Sequence, residues 1–314
     1  MLKMIGRRFA IAVPLLLVVS FGVFALTAVS SADPARAILG EGANPASVTA
    51  LRHQLGLDQS TLQRYGRWLS RLLHGDLGQS WYSNVPVTTK IAQGLPITAA
   101  LVLASIVVTV AVAVPLGLYA GMRPGGRVDR IAGAAAGLLL AMPEFWVALL
   151  LVLILSQKLH LLPGTGTTVI TADLWRDVQY LAIPVMAISL PQICALYRQT
   201  RASAAIVVRQ DYVRTARAGG IAEGELLRTR VAKNALVPSV TLLGLQLGRM
   251  IGIAAVVESV YGMQGIGSMA VQAALSSDLP IVLGIVLVTA AVVMAANLLA
   301  DVTCYYLAPK ARKT

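Results

Sequence analysis

Two charged residues stand alone inside long apolar runs of this sequence, Glu144 and Arg249. A charge at a bilayer centre costs about 2.5–3.5 kcal/mol on insertion scales, so each must face protein or water rather than lipid. Their opposite signs fit a pathway-lining pair or a structural contact between helices. Glu258, at the end of the run that holds Arg249, is a third candidate for the same route. Asp301 falls near the end of the last apolar run, where an interfacial role is expected. No nucleophile and base come together: His53, His74 and His160 are scattered over separate polar segments, and no H-E-x-x-H or G-x-S-x-G pattern occurs. No Gly-Lys pair occurs anywhere, so the phosphate-cradling G-x-x-x-x-G-K-[ST] loop is missing. Cys194 and Cys304 both lie in apolar runs and read as packed thiols, not metal ligands. The residue types therefore assign no catalytic residue and no metal site to this chain. Any work it does draws on a partner or an ion gradient.

The elements that position these charges are membrane helices. The chain has 314 residues, of which 57% are hydrophobic and only 13% charged. Soluble domains carry roughly 25% charged residues. The first apolar run, Phe9 to Ser30, follows Lys3, Arg7 and Arg8. Its core is longer than the roughly 7–15 residues of a signal-peptide h-region and long enough to cross hydrocarbon, so it reads as an uncleaved helix. Further spans are expected at about 98–120, 132–156, 179–200, 237–258 and 280–304, making six in an all-α polytopic protein. Prolines 14, 115, 143, 184 and 191 fall in or near them, as membrane helices tolerate, and point to kinked, mobile helices. Basic residues crowd the N-terminus, the 121–131 loop, the 201–236 segment and the 309–314 tail, while the 259–279 loop has no Lys or Arg. That alternation places both termini in the cytoplasm and residues 31–97 outside, as an insertion after the first helix. The net charge of +12 is spread over these loops, which argues for orientation in lipid and against nucleic-acid binding.

One stretch breaks the oily pattern: DYVRTARAGGIAEGELLRTRVAKNALVPSV, Asp211 to Val240. Asp211 is a plausible N-cap for a helix of about two turns, and Gly219 with Gly220 ends it, because glycine supplies left-handed cap geometry. A second helix is expected from about Ala222. Glu223 and Glu225 lie at its start, with Arg228, Arg230 and Lys233 toward its end, an order that suits the macrodipole. Pro238 then marks entry to the fifth span. The first helix is too short to be stable alone in water. It makes most sense seated in a partner's groove, the other reading being a loop resting on headgroups.

This stretch resembles the EAA loop of ABC importer permeases, in the form found in the dipeptide/oligopeptide/nickel permease family. The pattern E-A-A, three residues, Gly maps onto Arg214, Thr215, Ala216 and Gly220, with Arg in place of Glu and Thr in place of the first Ala. Other segments are similar to the same branch: LGLDQSTLQRYGRWLSRLLHGDLGQSW at 55–81, MPEFWVALLL at 142–151, VVESVYGMQGIG at 256–267, SDLP at 277–280 and NLLADVTCYYLAPK at 297–310. The resemblance implies the type I importer (MetI-like) permease fold in a bacterial inner membrane. It implies a second homologous permease subunit, one or two ATP-binding subunits that hold ATP and magnesium, and an extracytoplasmic solute-binding protein. Under it, Asp211, Tyr212, Arg214, Thr215, Ala216, Arg217, Gly219 and Gly220 form a coupling helix that docks on the ATPase. Arg214 and Arg217 would pair with acidic residues there.

In the 31–97 segment, Leu55, Leu62 and Leu69 fall near helical spacings, and Tyr65, Trp68, Leu72 and Leu73 extend an apolar side. One or two short amphipathic helices are expected, with HGDLGQSW as a turn. Trp68, Trp81 and Tyr261 are the candidate contacts for the solute-binding protein; packing of the segment on the spans is the other reading. Dipeptides or oligopeptides are the expected cargo, with nickel, glutathione and haem-like compounds open under the same architecture. An ion-coupled secondary transporter is the alternative from another class, but it predicts inverted repeats, and none is evident.

Overall fold

The computed structural model describes residues 2–29, 33–40, 42–165 and 174–307. Among them every regular element is helical, and the one β-bridge, between Gln79 and Pro86, is isolated. The expected tail at 309–314 lies outside the described residues. The chain divides into two compact units, 1–97 with 264–294 and 98–263 with 295–314.

The first unit holds α1 (Leu2–Val29), three short helices α2 (Pro34–Leu39), α3 (Pro45–Gln54) and α4 (Thr61–Leu73), and α12 (Ile266–Leu275). It also takes the start of α5 (Val87–Met122) and of α13 (Leu279–Leu307). The caps are local: Asp33, Asn44 and Ser60 each accept a backbone N–H from the first turn of the helix they open. Val87 and Ile91 of α5 pack with Ile266 and Ala273 of α12 and Ile281 and Ile285 of α13. The turn after α4 is closed by Asp278, a buried carboxylate whose two oxygens accept Ser80 Oγ at 2.5 Å and the Trp81 N–H at 3.1 Å. Beside it the Tyr82 hydroxyl donates to the Ser276 carbonyl at 2.7 Å. Burial, and then the Asp278 charge, raise the Tyr82 pKa.

The second unit is built on α8 (Leu174–Val207). It packs against α6 (Arg127–Ala141), α7 (Glu144–Leu151, continued as a π-helical turn to Lys158) and α11 (Ala232–Tyr261). Gly117 and Gly121 let α5 lie directly on α8: an added Cβ would stand 2.7 Å from Thr200 Cβ and 2.5 Å from Ala204 Cβ respectively. This is the small-x-x-x-small contact of membrane helices. Its neighbours are a core of Ala113, Ala120, Ala136, Cys194, Leu196 and Tyr197. Cys194 is thus a packed thiol, and Cys304 also carries no disulfide.

Among the described residues four helices are long and apolar enough to cross a membrane. These are Val87–Met122, Trp175–Val207, Glu223–Tyr261 and Leu279–Tyr306. The pair α6–α7 adds a fifth if counted as one span, and α1 carries a shorter apolar stretch, Ala10–Leu26. The span expected at 132–156 is bent by 105° between Ala141 and Glu144. The cause is Pro143, which has no N–H for the helix and biases Met142 to extended backbone (ψ 141°). Glu144 is the first residue of α7, at the junction of the bent pair, where the helix dipole favours a carboxylate.

Candidate functional site: a clasped short helix on a long one

Helix α9 runs Asp211–Ala218, with Gln210 as N-cap and Asp211 at the first helical position. It ends at Gly219 (φ −76°), and Gly220 is the left-handed residue (φ +81°). Val213 is its one fully buried side chain, set into a core of Leu118, Ala204, Leu226, Val231 and Ala235, with Ala216 packed at the edge. Two polar contacts clasp the helix from the side. Asn234 Nδ2 donates to the Tyr212 hydroxyl at 2.8 Å, and Arg217 makes a two-pronged ion pair with Glu223 at 2.8 and 3.3 Å. Arg214 reaches only Asp211, at 4.0 Å on the same exposed face. Asp211, Arg214, Thr215, Gly219 and Gly220 thus present a polar outer face with no intrachain anchor beyond that loose pair.

The clasp belongs to the base of the longest helix. The helix expected from Ala222 is not separate from the fifth span. It starts as α10 (Glu223–Leu226), passes through a π-helical turn (Leu227–Val231) and continues as α11, with Pro238 inside it. The 39 residues Glu223–Tyr261 extend about 55–60 Å. Farther along, α11 carries Arg249, whose Nη2 stands 2.9 Å from Glu144 Oε1. The two lone intramembrane charges therefore meet. Glu144 is 22% exposed and Arg249 69%, so the pair is anchored at the carboxylate and open at the guanidinium.

Two of the expected site residues are buried. Glu258 is fully buried and accepts Thr98 Oγ1 at 2.5 Å, which ties α11 to α5. Tyr261 is 2% exposed, and its hydroxyl donates to the Ala148 carbonyl at 3.1 Å. It holds α11 to α7 and has no surface to offer a docking protein. Trp68 and Trp81 sit together in the first unit, half-buried around Phe24, Tyr65, Leu279 and Leu283.

Sequence reasoning missed one buried network. Asp129, 9% exposed at the start of α6, accepts Arg201 Nε at 2.8 Å and Nη2 at 2.7 Å, and the Gly125 N–H at 2.9 Å. The Tyr197 hydroxyl lies 3.4 Å from the same carboxylate. This network fixes the end of α8 just before α9 begins. The one available signal was a lone acid among the loop arginines 123, 127 and 130. Among the described residues no three His, Cys, Asp or Glu side chains form a metal-holding group.

Residues 113–313 match the family described as binding-protein-dependent transport system inner membrane component, and residues 1–102 match the N-terminal domain of the same systems. A Brucella abortus chain provisionally named a peptide transport system permease protein is 35% identical over 99% of both chains. The oligopeptide transport system permease protein AppB of Bacillus subtilis is 29% identical over 94% of this chain and 95% of its own. The dipeptide transport system permease protein DppB of Escherichia coli is 28% identical over 99% of both.

Proposed function

The chain belongs to the family of binding-protein-dependent transport system inner membrane components, and from that premise we propose that it is the permease subunit of an ATP-driven importer of peptides. It crosses the membrane six times, counting the apolar stretch of α1 as the first span, with both termini in the cytoplasm and residues 31–97 outside. A second homologous permease completes the pathway, and a solute-binding protein delivers cargo to the outer face, where Trp68 and Trp81 are its candidate contacts. The names of the full-length relatives support peptides or dipeptides as cargo.

The observation that carries the mechanism is the clasped helix. Isolated eight-residue helices do not persist in water. Here α9 is held at Val213, Tyr212 and Arg217 while its outer face stays free. That is the form of a knob for a groove on an ATP-binding subunit. Closure of two such subunits around ATP moves the knobs. The motion passes through the buried Val213 contact into the base of α11. Arg249 and Glu144 lie farther along that helix and against it, so they are placed to line the route that opens and closes.

Site-directed cross-linking tests this. With the native cysteines replaced, a Thr215→Cys variant of the assembled complex should cross-link to the ATP-binding subunit, and a Leu62→Cys variant should not. Transport by the purified chain with no nucleotide-hydrolysing partner, or labelling of position 215 only from outside the cell, overturns the reading.

A further inference from the structure

Helix α4 carries Arg64, Arg67 and Arg71 at positions i, i+3 and i+7, so one stripe of the helix is wholly cationic. All three line a cavity of about 550 Å³ in the first unit. Like charges at these spacings repel along a helix. Among the described residues none of the three has a carboxylate within 4.0 Å. The nearest acid in the lining is Asp76, which spends Oδ1 on the Gly78 N–H at 2.8 Å. Burial, and then the charge on Arg67, lower the Arg64 pKa. A second group in the same lining lacks a partner: the Trp68 Nε1–H is buried and makes no hydrogen bond. Arg67 and Arg71 reach solvent and Arg64 is half-buried, so three guanidinia and one buried indole N–H line a single open cavity, a donor set that suits an anion with several oxygens.

The rest of the lining says where that anion comes from. Phe24 belongs to the end of the apolar stretch of α1, and Leu279 and Leu283 to the first turns of α13. These are the ends of membrane helices. Tyr65 fixes α4 across the same level: its ring meets Phe21 and Phe24 edge-on at 5.2 and 5.7 Å, and its hydroxyl lies 2.9 Å from Ser20 Oγ. Arg64 lies 5.3 Å over the Phe24 ring. Leu62 and Leu73, eleven residues apart and hence on one face, are 71% and 81% exposed. A helix with exposed leucines on one side, arginines on another and Tyr and Trp between them is built for the boundary between headgroups and acyl chains.

We propose that this cavity binds the phosphate of an anionic phospholipid headgroup, held by Arg64, Arg67, Arg71 and the Trp68 indole N–H, with the acyl chains leaving along Phe24, Leu279 and Leu283. The site needs only that the chain lies in a membrane, not which cargo it moves. A bound lipid would brace α4 on α1 and keep the segment between them folded against the bilayer.

Tryptophan quenching tests it. The full chain, with Trp146→Phe and Trp175→Phe so that emission reports Trp68 and Trp81, is reconstituted in phosphatidylcholine vesicles. These contain either dibrominated phosphatidylglycerol or dibrominated phosphatidylcholine. A surface cation contributes roughly fivefold to anionic-lipid affinity, so brominated phosphatidylglycerol should associate at least about tenfold more strongly than its zwitterionic counterpart. The Arg64→Gln/Arg67→Gln/Arg71→Gln variant should lose that preference, and the corresponding lysine triple should keep most of it. If the glutamine triple does not elute as a folded species, Arg67→Gln alone should lower the preference about fivefold. An unchanged preference in folded glutamine variants overturns the proposal. Displacement of brominated phosphatidylglycerol by millimolar inorganic phosphate would assign the cavity to a free anion instead. Loss of binding-protein capture by the glutamine variants, with lipid preference intact, would make it a protein dock.

Discussion

Gly220 gives the sharpest test of the clasped helix, because its cost can be separated from packing. Its φ of +81° is a left-handed conformation, and a Cβ placed there meets no atom within 4 Å. Any penalty on substitution is therefore backbone strain alone. For an ordinary L-residue that strain is roughly 1–2 kcal/mol; asparagine tolerates the region better and a β-branched residue worse. Gly219 is the internal control. Its φ is −76°, and an added Cβ would make ordinary 3.5 Å contacts with the Ala216 and Thr215 carbonyls. Gly219→Ala should be neutral or slightly stabilising, since it removes unfolded-state freedom worth about 0.4–1 kcal/mol. The expected order of damage is Gly219→Ala below Gly220→Asn, then Gly220→Ala, then Gly220→Val. A strain of 1–2 kcal/mol shifts the balance between the native turn and its competitors about 5–30-fold. Binding-protein-stimulated ATP hydrolysis and transport in reconstituted vesicles, together with retention of the ATP-binding subunit on purification, read out the series. If Gly219→Ala proves as harmful as Gly220→Val, or if all four variants couple normally, the turn is not what holds α9 in its working position.

Two further outcomes follow from the ion pairs between helices. Arg201→Met leaves Asp129 nearly buried and unpaired, for which breaking a buried pair costs about 3–5 kcal/mol; Gly125 and the partial exposure of Arg201 reduce this to about 2–3. Thermal unfolding in detergent should fall clearly for Arg201→Met but little for Arg209→Met, and Asp129→Asn added to Arg201→Met should recover part of the loss. Arg249→Met leaves Glu144 without its partner at a cost on the order of 1–3 kcal/mol, discounted because the guanidinium is open to solvent. The swap Glu144→Arg/Arg249→Glu should restore heat stability but not transport; full recovery of transport would show that the pair only packs α7 on α11.

What the sequence made legible was local. The end of α9 follows from the paired glycines, a signal that acts within a turn and needs no tertiary partner, whereas its N-cap is Gln210 and not the Asp211 that the sequence suggested. Pro143 pointed to a kink in the 142–156 run but not to its 105° size, because hydropathy has no direction: MPEFWVALLL is as oily across Pro143 as a straight span would be. The start of α5 at Val87 was hidden for the opposite reason, since Thr88, Thr89, Lys90 and Gln93 look like loop until Val87 and Ile91 find α12 and α13. The Gly117–Gly121 spacing was in plain view, but its meaning depends on Thr200 and Ala204 lying opposite. That Glu258, a pathway candidate, and Tyr261, a candidate docking contact, are both buried was not legible because one chain of letters does not show which face of α11 is covered.

The three attachments of α9 differ enough in strength to say which one carries load. Full burial of a valine contributes roughly 1.5–3 kcal/mol, and the surrounding Leu226, Val231 and Ala235 belong to the base of the long helix, so Val213 transmits force directly into it. The Tyr212–Asn234 hydrogen bond adds about 0.5–1.5 kcal/mol and fixes rotation about that point. The Arg217–Glu223 pair is different: both side chains are more than a third exposed, and such pairs contribute about 0–1 kcal/mol. Under the proposed docking, Arg217 would leave Glu223 for a carboxylate on the ATP-binding subunit at almost no cost, while Val213 stays seated. A helix gripped through its exchangeable arginine and hinged on its buried valine would move with its partner without detaching from its own chain, which is what a coupling element has to do.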